Sequence, residues 1–193
     1  MEFDNMFDVP LPPAQAFAVL MDIARIAPCM PGAELTEIVD PRNYKGKIAV
    51  RLGPVALAFA GRVELDGIDA NQHTARVKAQ GSDAKGRGGA NATATFRIEP
   101  SGAGAKILIH TDLALSGAVA QYGRGVGMIE ATAAQLVGQF ADNLRAQLAR
   151  EQAPSSAPAR PPPSSPAKPI SGLSLIARVI WSKLVALFSA GKT

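Results

Sequence analysis

Few side chains in this 193-residue sequence combine the types and spacing that catalysis or metal binding requires. His73 lies in a predicted turn and His110 on the polar face of a predicted strand, and two histidines without a matched set of carboxylates make a poor metal site. Cys29 is the only cysteine and has no suitably placed histidine, so we expect a small buried thiol. Nothing here argues for an enzyme.

Neither a phosphate-binding loop nor a nucleic-acid surface is indicated. The glycine-rich stretch 81–89 (GSDAKGRGG) lacks the Gly-Lys-Ser/Thr ending of a phosphate loop, and it leads into a strand rather than a helix. We expect a flexible hairpin loop there. Residues 1–151 contain no Lys/Arg cluster with interleaved aromatic residues, so we expect no nucleic-acid partner.

Charge and composition divide the chain into three parts: a domain over residues 1–151, a linker over 152–169 and a C-terminal segment over 170–193. The domain holds all sixteen acidic residues against fifteen Lys/Arg, whereas the remaining five Lys/Arg follow it. The linker carries seven prolines in eighteen positions, which is typical of a disordered, solvated spacer. The basic pI near 9.5 is therefore a property of the tail.

The segment 170–190 is predicted to form an amphipathic helix. It is long enough to cross a bilayer, but its two central basic residues offset the gain from its apolar ones. At about 100° per residue its apolar side chains share one arc, which favours a helix lying at the membrane surface. A spanning tail anchor and a helix that docks on a protein partner remain as alternatives. The predicted membrane-binding residues are Leu173, Ile176, Ile180, Trp181, Leu184, Leu187 and Phe188, with Arg178 and Lys183 facing lipid phosphates.

The acidic N-terminal residues 1–8 carry no secretory signal, so we expect the domain to stay in the cytoplasm. Alternating apolar residues predict a strand over Glu2–Val9 and several later strands from Tyr44 onward. Between them, helices are expected from Pro13 to Met21 and over 22–27, and apolar residues at helical spacing predict a long helix over Val119–Arg150. The fold class is therefore α+β, with a curved antiparallel sheet around a long C-terminal helix.

Many inner positions of the predicted sheet carry alanine or glycine, among them Gly46, Gly61, Ala79 and Ala92. Such small residues allow either close packing of helix against sheet or an apolar cavity for a ligand. Both interpretations stay open. If a cavity exists, its candidate lining residues are Leu57, Phe59, Phe96, Tyr122, Ile129, Leu136 and Phe140.

Three segments resemble the CoxG-type family of carbon monoxide dehydrogenase subunits, which belongs to the START-like, or SRPBCC, superfamily. They are 24–32, which ends in Cys-Met-Pro-Gly; 52–63, with its Leu-Gly-Pro and Phe-Ala-Gly-Arg-Val; and the glycine-rich 81–89. The resemblance implies a START-like helix-grip fold that encloses a hydrophobic cavity. It also implies association with molybdenum hydroxylases such as carbon monoxide dehydrogenase, and docking of that enzyme to the cytoplasmic face of the inner membrane. It supplies no catalytic residues.

We therefore hypothesise a membrane-tethered accessory protein that recruits a cytoplasmic molybdenum hydroxylase to inner-membrane lipid, where it is either peripheral or tail-anchored. A quinone or another hydrophobic small molecule is the candidate cavity ligand, and no covalently bound cofactor or metal is expected. The alternatives are a START-like enzyme acting on a hydrophobic substrate, with Tyr122 as its one polar candidate, and an assembly factor for the hydroxylase.

Overall fold

A computed structural model describes residues 1–124 and 126–152, and for 122–126 it describes no side chains. One antiparallel sheet holds seven strands in the order β1-β7-β6-β5-β4-β3-β2. The strands are β1 Glu2–Val9, β2 Ala33–Asp40, β3 Asn43–Leu52, β4 Val55–Asp69, β5 Thr74–Asp83, β6 Gly88–Ser101 and β7 Gly104–Gly117. The helices are α1 Pro13–Met21, α2 Ile23–Ile26 and α3 Val126–Gln152, with 3-10 segments at Ala27–Cys29 and Ala118–Arg124.

The predicted α+β fold is confirmed: a curved sheet and a long C-terminal helix form a helix-grip arrangement. Alternation decides which face of each strand is buried. In β1, Phe7 and Val9 are buried while the acidic residues between and before them are exposed. Antiparallel pairing then joins this strand to β7, with Phe7 opposite Ile107. Because directly paired residues share a face, the buried residues define one inner face across the sheet.

The two short helices follow β1 as predicted. Pro13 occupies the first turn of α1, where its missing N–H would lack an intrahelical partner in any case. Asp22 ends α1 and caps α2, since its Oδ1 accepts a hydrogen bond from the backbone N–H of Arg25 at 3.1 Å. α1 buries Phe17 and Leu20 against the sheet.

Two elements differ from the sequence-based expectation. Strand β2 was not predicted, because it shows little alternation between buried and exposed residues: Thr36–Asp40 are all exposed, and no residue of the strand is fully buried. The long helix begins at Val126 rather than at Val119. The sequence carries glycine at 123, 125 and 127, and each glycine costs about 1 kcal/mol in a helix interior, so a 3-10 segment precedes α3 instead.

Two separate clusters form the core. The first lies between β1, β6, β7, α1 and the C-terminal half of α3; in it Phe7 meets Phe140 edge to face, with ring centroids 5.7 Å apart. The second joins Leu57, Val119 and Ile129 near the N-terminal end of α3. Apolar packing is therefore concentrated at two places along the helix.

Candidate functional site

The inner face of the sheet is buried at its ends and accessible in its middle. In β3, Tyr44 and Leu52 are buried, whereas the inward-facing residues between them are only half-buried. In β4, Leu57 and Leu65 are buried, and again the inner positions between them are not. A uniformly packed core would bury its centre most completely. The middle of the inner face therefore borders an accessible space, which we call the inner space.

Apolar side chains dominate the wall of the inner space. Its half-buried, inward-facing apolar residues are Ile48, Val50, Phe59, Val63, Val77, Ala79, Ala92, Ala94, Phe96, Leu113 and Leu115. Small residues contribute in two ways. Ala75 is 1% exposed and belongs to the first cluster, so there a small side chain serves close packing. Ala79 and Ala92 pair directly across β5 and β6 and stay half-buried, so there small side chains leave room.

The predicted cavity residues fall into two groups. Leu57, Ile129 and Phe140 are buried members of the two clusters. Phe59 and Phe96 are half-buried: Phe96 packs against the first cluster and Phe59 against the second.

Two further predicted cavity residues complete the set. Leu136 is half-buried on α3. Tyr122 lies in the 3-10 segment, and its side chain is outside the described part of the chain. The predicted membrane-binding residues between Leu173 and Phe188 also lie outside the described residues.

Two polar residues on the inner face escaped the sequence-based prediction. Asn5 lies between the inward-facing Phe3 and Phe7 on β1, and Thr111 lies between Ile109 and Leu113 on β7. Both are half-buried. The alternation of β1 carries the signal that would have placed Asn5 on the inner face.

Asp83 is the one buried charged residue among those described. The Arg87 guanidinium holds it with two bonds of 2.8 Å, Nε to Oδ2 and Nη2 to Oδ1, and the Lys85 backbone N–H donates to Oδ2 at 3.0 Å. The Arg87 hydrogen bond keeps the pKa of Asp83 far below its usual range, so the group is an ionised carboxylate that cannot serve as a proton donor. This pairing organises the tight turn Ala84–Arg87, which joins β5 to β6. The expected hairpin is present, but its loop is shorter than the stretch 81–89, because Gly81–Asp83 and Gly88–Gly89 belong to the strands.

Two side chains of reactive types, Cys29 and His110, have hydrogen-bond partners in the structure. Cys29 is buried, its Sγ lies 3.0 Å from Gln147 Oε1, and burial raises its pKa, so the expected small buried thiol is confirmed. His110 is exposed on the outer face, where its Nδ1 lies 2.8 Å from Asp4 Oδ1; this hydrogen bond raises its pKa.

His73 differs from the expected solvated residue. It is half-buried at a left-handed backbone position (φ 50°), and its ring lies 5.8 Å from that of Phe17. Across residues 1–124 and 126–152, no group of three or more His, Cys, Asp or Glu side chains is arranged to hold a metal.

A second concavity, an open groove of about 710 Å³, involves the outer face of β3 to β6. Its wall is polar: Lys45, Lys47 and Arg62 contribute positive charge, and Gln80 accepts from Arg62 Nε at 3.1 Å and from Nη2 at 2.7 Å. Glycines of neighbouring strands complete it. At Gly61 an added Cβ would lie 1.9 Å from the Gln80 carbonyl oxygen, so the backbone there admits no side chain. The groove and the inner space thus differ in chemistry.

Comparison with known proteins agrees with this architecture. The family model for CoxG, a subunit of carbon monoxide dehydrogenase, matches residues 6–149. No curated protein matches the sequence. Among solved structures, a conserved protein from Geobacillus kaustophilus is similar with a TM-score of 0.68 at 17% identity, over 78% of this chain and 97% of that one.

Two further solved structures show the same fold at low identity. A protein from Thermus thermophilus gives a TM-score of 0.55 at 14% identity, over 76% of this chain and 99% of its own. The Zhui aromatase/cyclase from Streptomyces sp. R1128 gives a TM-score of 0.55 at 13% identity, over 78% of this chain and 94% of its own. At such identities the likeness concerns the fold alone.

Proposed function

Since this chain belongs to the CoxG family of carbon monoxide dehydrogenase subunits, we propose that it is an accessory protein of a carbon monoxide dehydrogenase-type molybdenum hydroxylase. In this proposal it recruits the cytoplasmic enzyme to the inner membrane and carries a quinone or another lipid in its inner space. The electrons of a soluble enzyme would then reach an acceptor that is dissolved in lipid.

The observation that carries the ligand proposal is the half-buried middle of the inner face, flanked by two buried clusters. Leaving apolar side chains accessible forgoes about 25 cal/mol for every Å² that burial would remove from water. An apolar ligand lying against Phe59, Ala92 and Phe96 would recover that free energy. A hydrocarbon chain is the chemical group that fits this wall.

Charge also limits the ligand. The inward-facing residues in the middle of β3 to β7 include no Lys, Arg, Asp or Glu, and Asp83, at the end of the inner row of β5, is already neutralised by Arg87. A charged ligand would lose its hydration in such a space without gaining a counterion. We therefore propose an uncharged lipid, and a prenylated quinone meets this requirement.

The tether proposal rests on the sequence that follows α3. Residues after Glu151 carry five Lys/Arg and no Asp/Glu, which favours a membrane surface with anionic lipid. At about 3.1 Å per residue, an extended eighteen-residue linker reaches about 56 Å. Such a flexible tether raises the local concentration of the bound enzyme at the membrane. No helix within the described ranges has the length and hydropathy to cross a bilayer.

Lipid extraction tests the ligand proposal. Full-length protein is purified from cells without detergent, and organic extracts of the purified protein are examined for lipids by mass spectrometry. We expect a quinone or another neutral lipid in stoichiometric amount. The matched control is the double variant Ala79→Leu/Ala92→Leu, which adds carbon to the inner space and should retain less lipid. Consistently lipid-free native protein would contradict the carrier role and leave tethering alone.

Truncation after Gln152 tests the tether and separates it from an assembly role. We expect the truncated protein to remain folded, because it keeps all seven strands, α3 and both core clusters. We also expect the dehydrogenase to leave the membrane fraction while keeping its activity with a soluble dye acceptor. Unchanged membrane recruitment would refute the tether. A loss of mature, cofactor-loaded enzyme would instead favour the assembly factor.

A further inference from the structure

A polar pair interrupts the apolar inner face where β1 meets β7. The pairs Phe3↔Thr111 and Asn5↔Ile109 fix the register of these strands. Asn5 and Thr111 are therefore diagonal neighbours on one face, with Cβ atoms separated by about 7–8 Å or somewhat less. Both side chains are within reach of one small polar group lying above them.

Neither side chain of this pair hydrogen-bonds to another described residue, whereas two other partly buried polar side chains, those of Tyr44 and Asn143, do. Tyr44 donates its hydroxyl hydrogen bond to the Pro41 carbonyl at 2.6 Å, and Asn143 Nδ2 donates to the Cys29 carbonyl at 2.9 Å. No fully buried side-chain N or O atom of the described residues lacks a partner. Asn5 and Thr111 thus remain accessible and open to a further partner.

The pair also lies where the two core clusters meet. Phe7 and Ile109, on one side of it, belong to the first cluster, and Phe3 and Leu113, on the other, pack against the second. Apolar residues at both positions would have joined the clusters into one continuous core. Two hydrogen-bonding groups stand there instead, beside the half-buried Ala94 that is paired with Thr111.

We propose that Asn5 and Thr111 bind the oxygen-bearing head of a neutral prenyl lipid, with a prenylated quinone as the fitting class, while its chain lies along the apolar wall. An amide and a hydroxyl can each donate and accept hydrogen bonds. The pair can therefore donate to the carbonyl of an oxidised ring and accept from the hydroxyl of a reduced one, without a change in its own charge. This inference rests on the proposed carrier function and names the part of the site that distinguishes a quinone from a plain hydrocarbon.

The test compares two probes on the full-length, lipid-free protein: a prenylated quinone and a prenyl hydrocarbon of the same chain length that lacks the ring. The variant Asn5→Leu/Thr111→Val removes the polar groups and keeps similar volumes. We expect its affinity for the quinone to fall about thirtyfold, the value of two ordinary hydrogen bonds, while its affinity for the hydrocarbon stays the same or rises.

Matched controls place the same changes on the outer face of β6, where Asn91 and Thr95 are exposed. Asn91→Leu/Thr95→Val should bind both probes as the native protein does. Thr111→Ser keeps the hydroxyl and should keep most of the quinone affinity. A Thr111 variant that lost affinity only through impaired folding would not keep it. Urea unfolding of each variant provides the check on stability.

The outcomes separate the two proposals. An equal loss of affinity for both probes, or no loss for either, would overturn the role of Asn5 and Thr111 while leaving the carrier function standing. Native protein that binds neither probe would overturn the carrier function and this inference together. A selective loss for the quinone supports both.

Discussion

The accessibility of the inner space can be tested by filling it, because the sheet offers a matched pair of alanine sites. Ala79 and Ala92 face each other across β5 and β6 and are half-buried, whereas Ala75, on the same face of β5, is 1% exposed. Ala79→Leu/Ala92→Leu adds six carbons, each worth about 0.8 kcal/mol when fully buried. At roughly half burial we expect a gain of about 2 kcal/mol in the free energy of unfolding. Ala75→Leu instead overpacks a filled site and should cost about 1–3 kcal/mol.

Urea unfolding followed by circular dichroism measures both effects on lipid-free protein. With a urea dependence of about 2 kcal/mol per M, the double variant should unfold at a urea concentration about 1 M higher, and Ala75→Leu at one about 0.5–1.5 M lower. A double variant destabilised as much as Ala75→Leu would refute the reasoning, because it would mean that Ala79 and Ala92 pack as closely as Ala75 does. The conclusion that the inner face borders a space would then be wrong.

Three further outcomes are expected. Arg178→Glu/Lys183→Glu should lower binding to vesicles of phosphatidylglycerol and phosphatidylcholine in a sedimentation assay, by about fivefold or more for each basic residue lost, and unchanged binding would exclude a role for these charges. Asp83→Asn should lower the urea midpoint at pH 7. Because the folded-state pKa of Asp83 is depressed, the carboxylate's contribution to stability is fully present above its unfolded pKa near 4 and is lost only as the pH falls toward its folded pKa. A difference in midpoint between variant and native protein that is already gone at pH 5 would therefore contradict the ion-pair account. Leu144→Ala, at a position that is 1% exposed, should cost about 2–5 kcal/mol in the free energy of unfolding by the same urea assay, and a cost below about 1 kcal/mol would show that the first cluster is loosely packed.

The secondary structure could be predicted from the sequence wherever one face of an element is buried. Alternation in Glu2–Val9 and in the strands after Tyr44 is a local property, so it is visible in the residues themselves. Strand β2 lacks that property because Thr36–Asp40 are exposed on both faces, whereas β1, the other edge strand, packs its inner face against α3. Its existence depends on pairing with β3, which a pattern within Ala33–Asp40 does not encode.

The candidate site was harder to predict, because burial depends on contacts between distant segments. The sequence treats Ala75 and Ala79 alike, yet the first lies in the packed cluster and the second beside the inner space. Likewise, Asn5 and Thr111 are more than a hundred positions apart and become neighbours only through the pairing of β1 with β7. Alternation predicts which face of its strand each residue lies on. Only the strand pairing of the assembled sheet shows which residues are neighbours on that face.

The pairing of β1 with β7 also governs when the domain can fold. Glu2 pairs with Asp112 and Val9 with Ala105, so the first strand to be synthesised waits for the last one before it gains a hydrogen-bonded neighbour. Contacts of such high sequence separation slow folding, since a long loop must close before they form. Until then Phe3 and Phe7 stay exposed on the nascent chain, where they can bind chaperones or associate prematurely with other chains. The earliest residues of the domain are thus among the last to find their place in it.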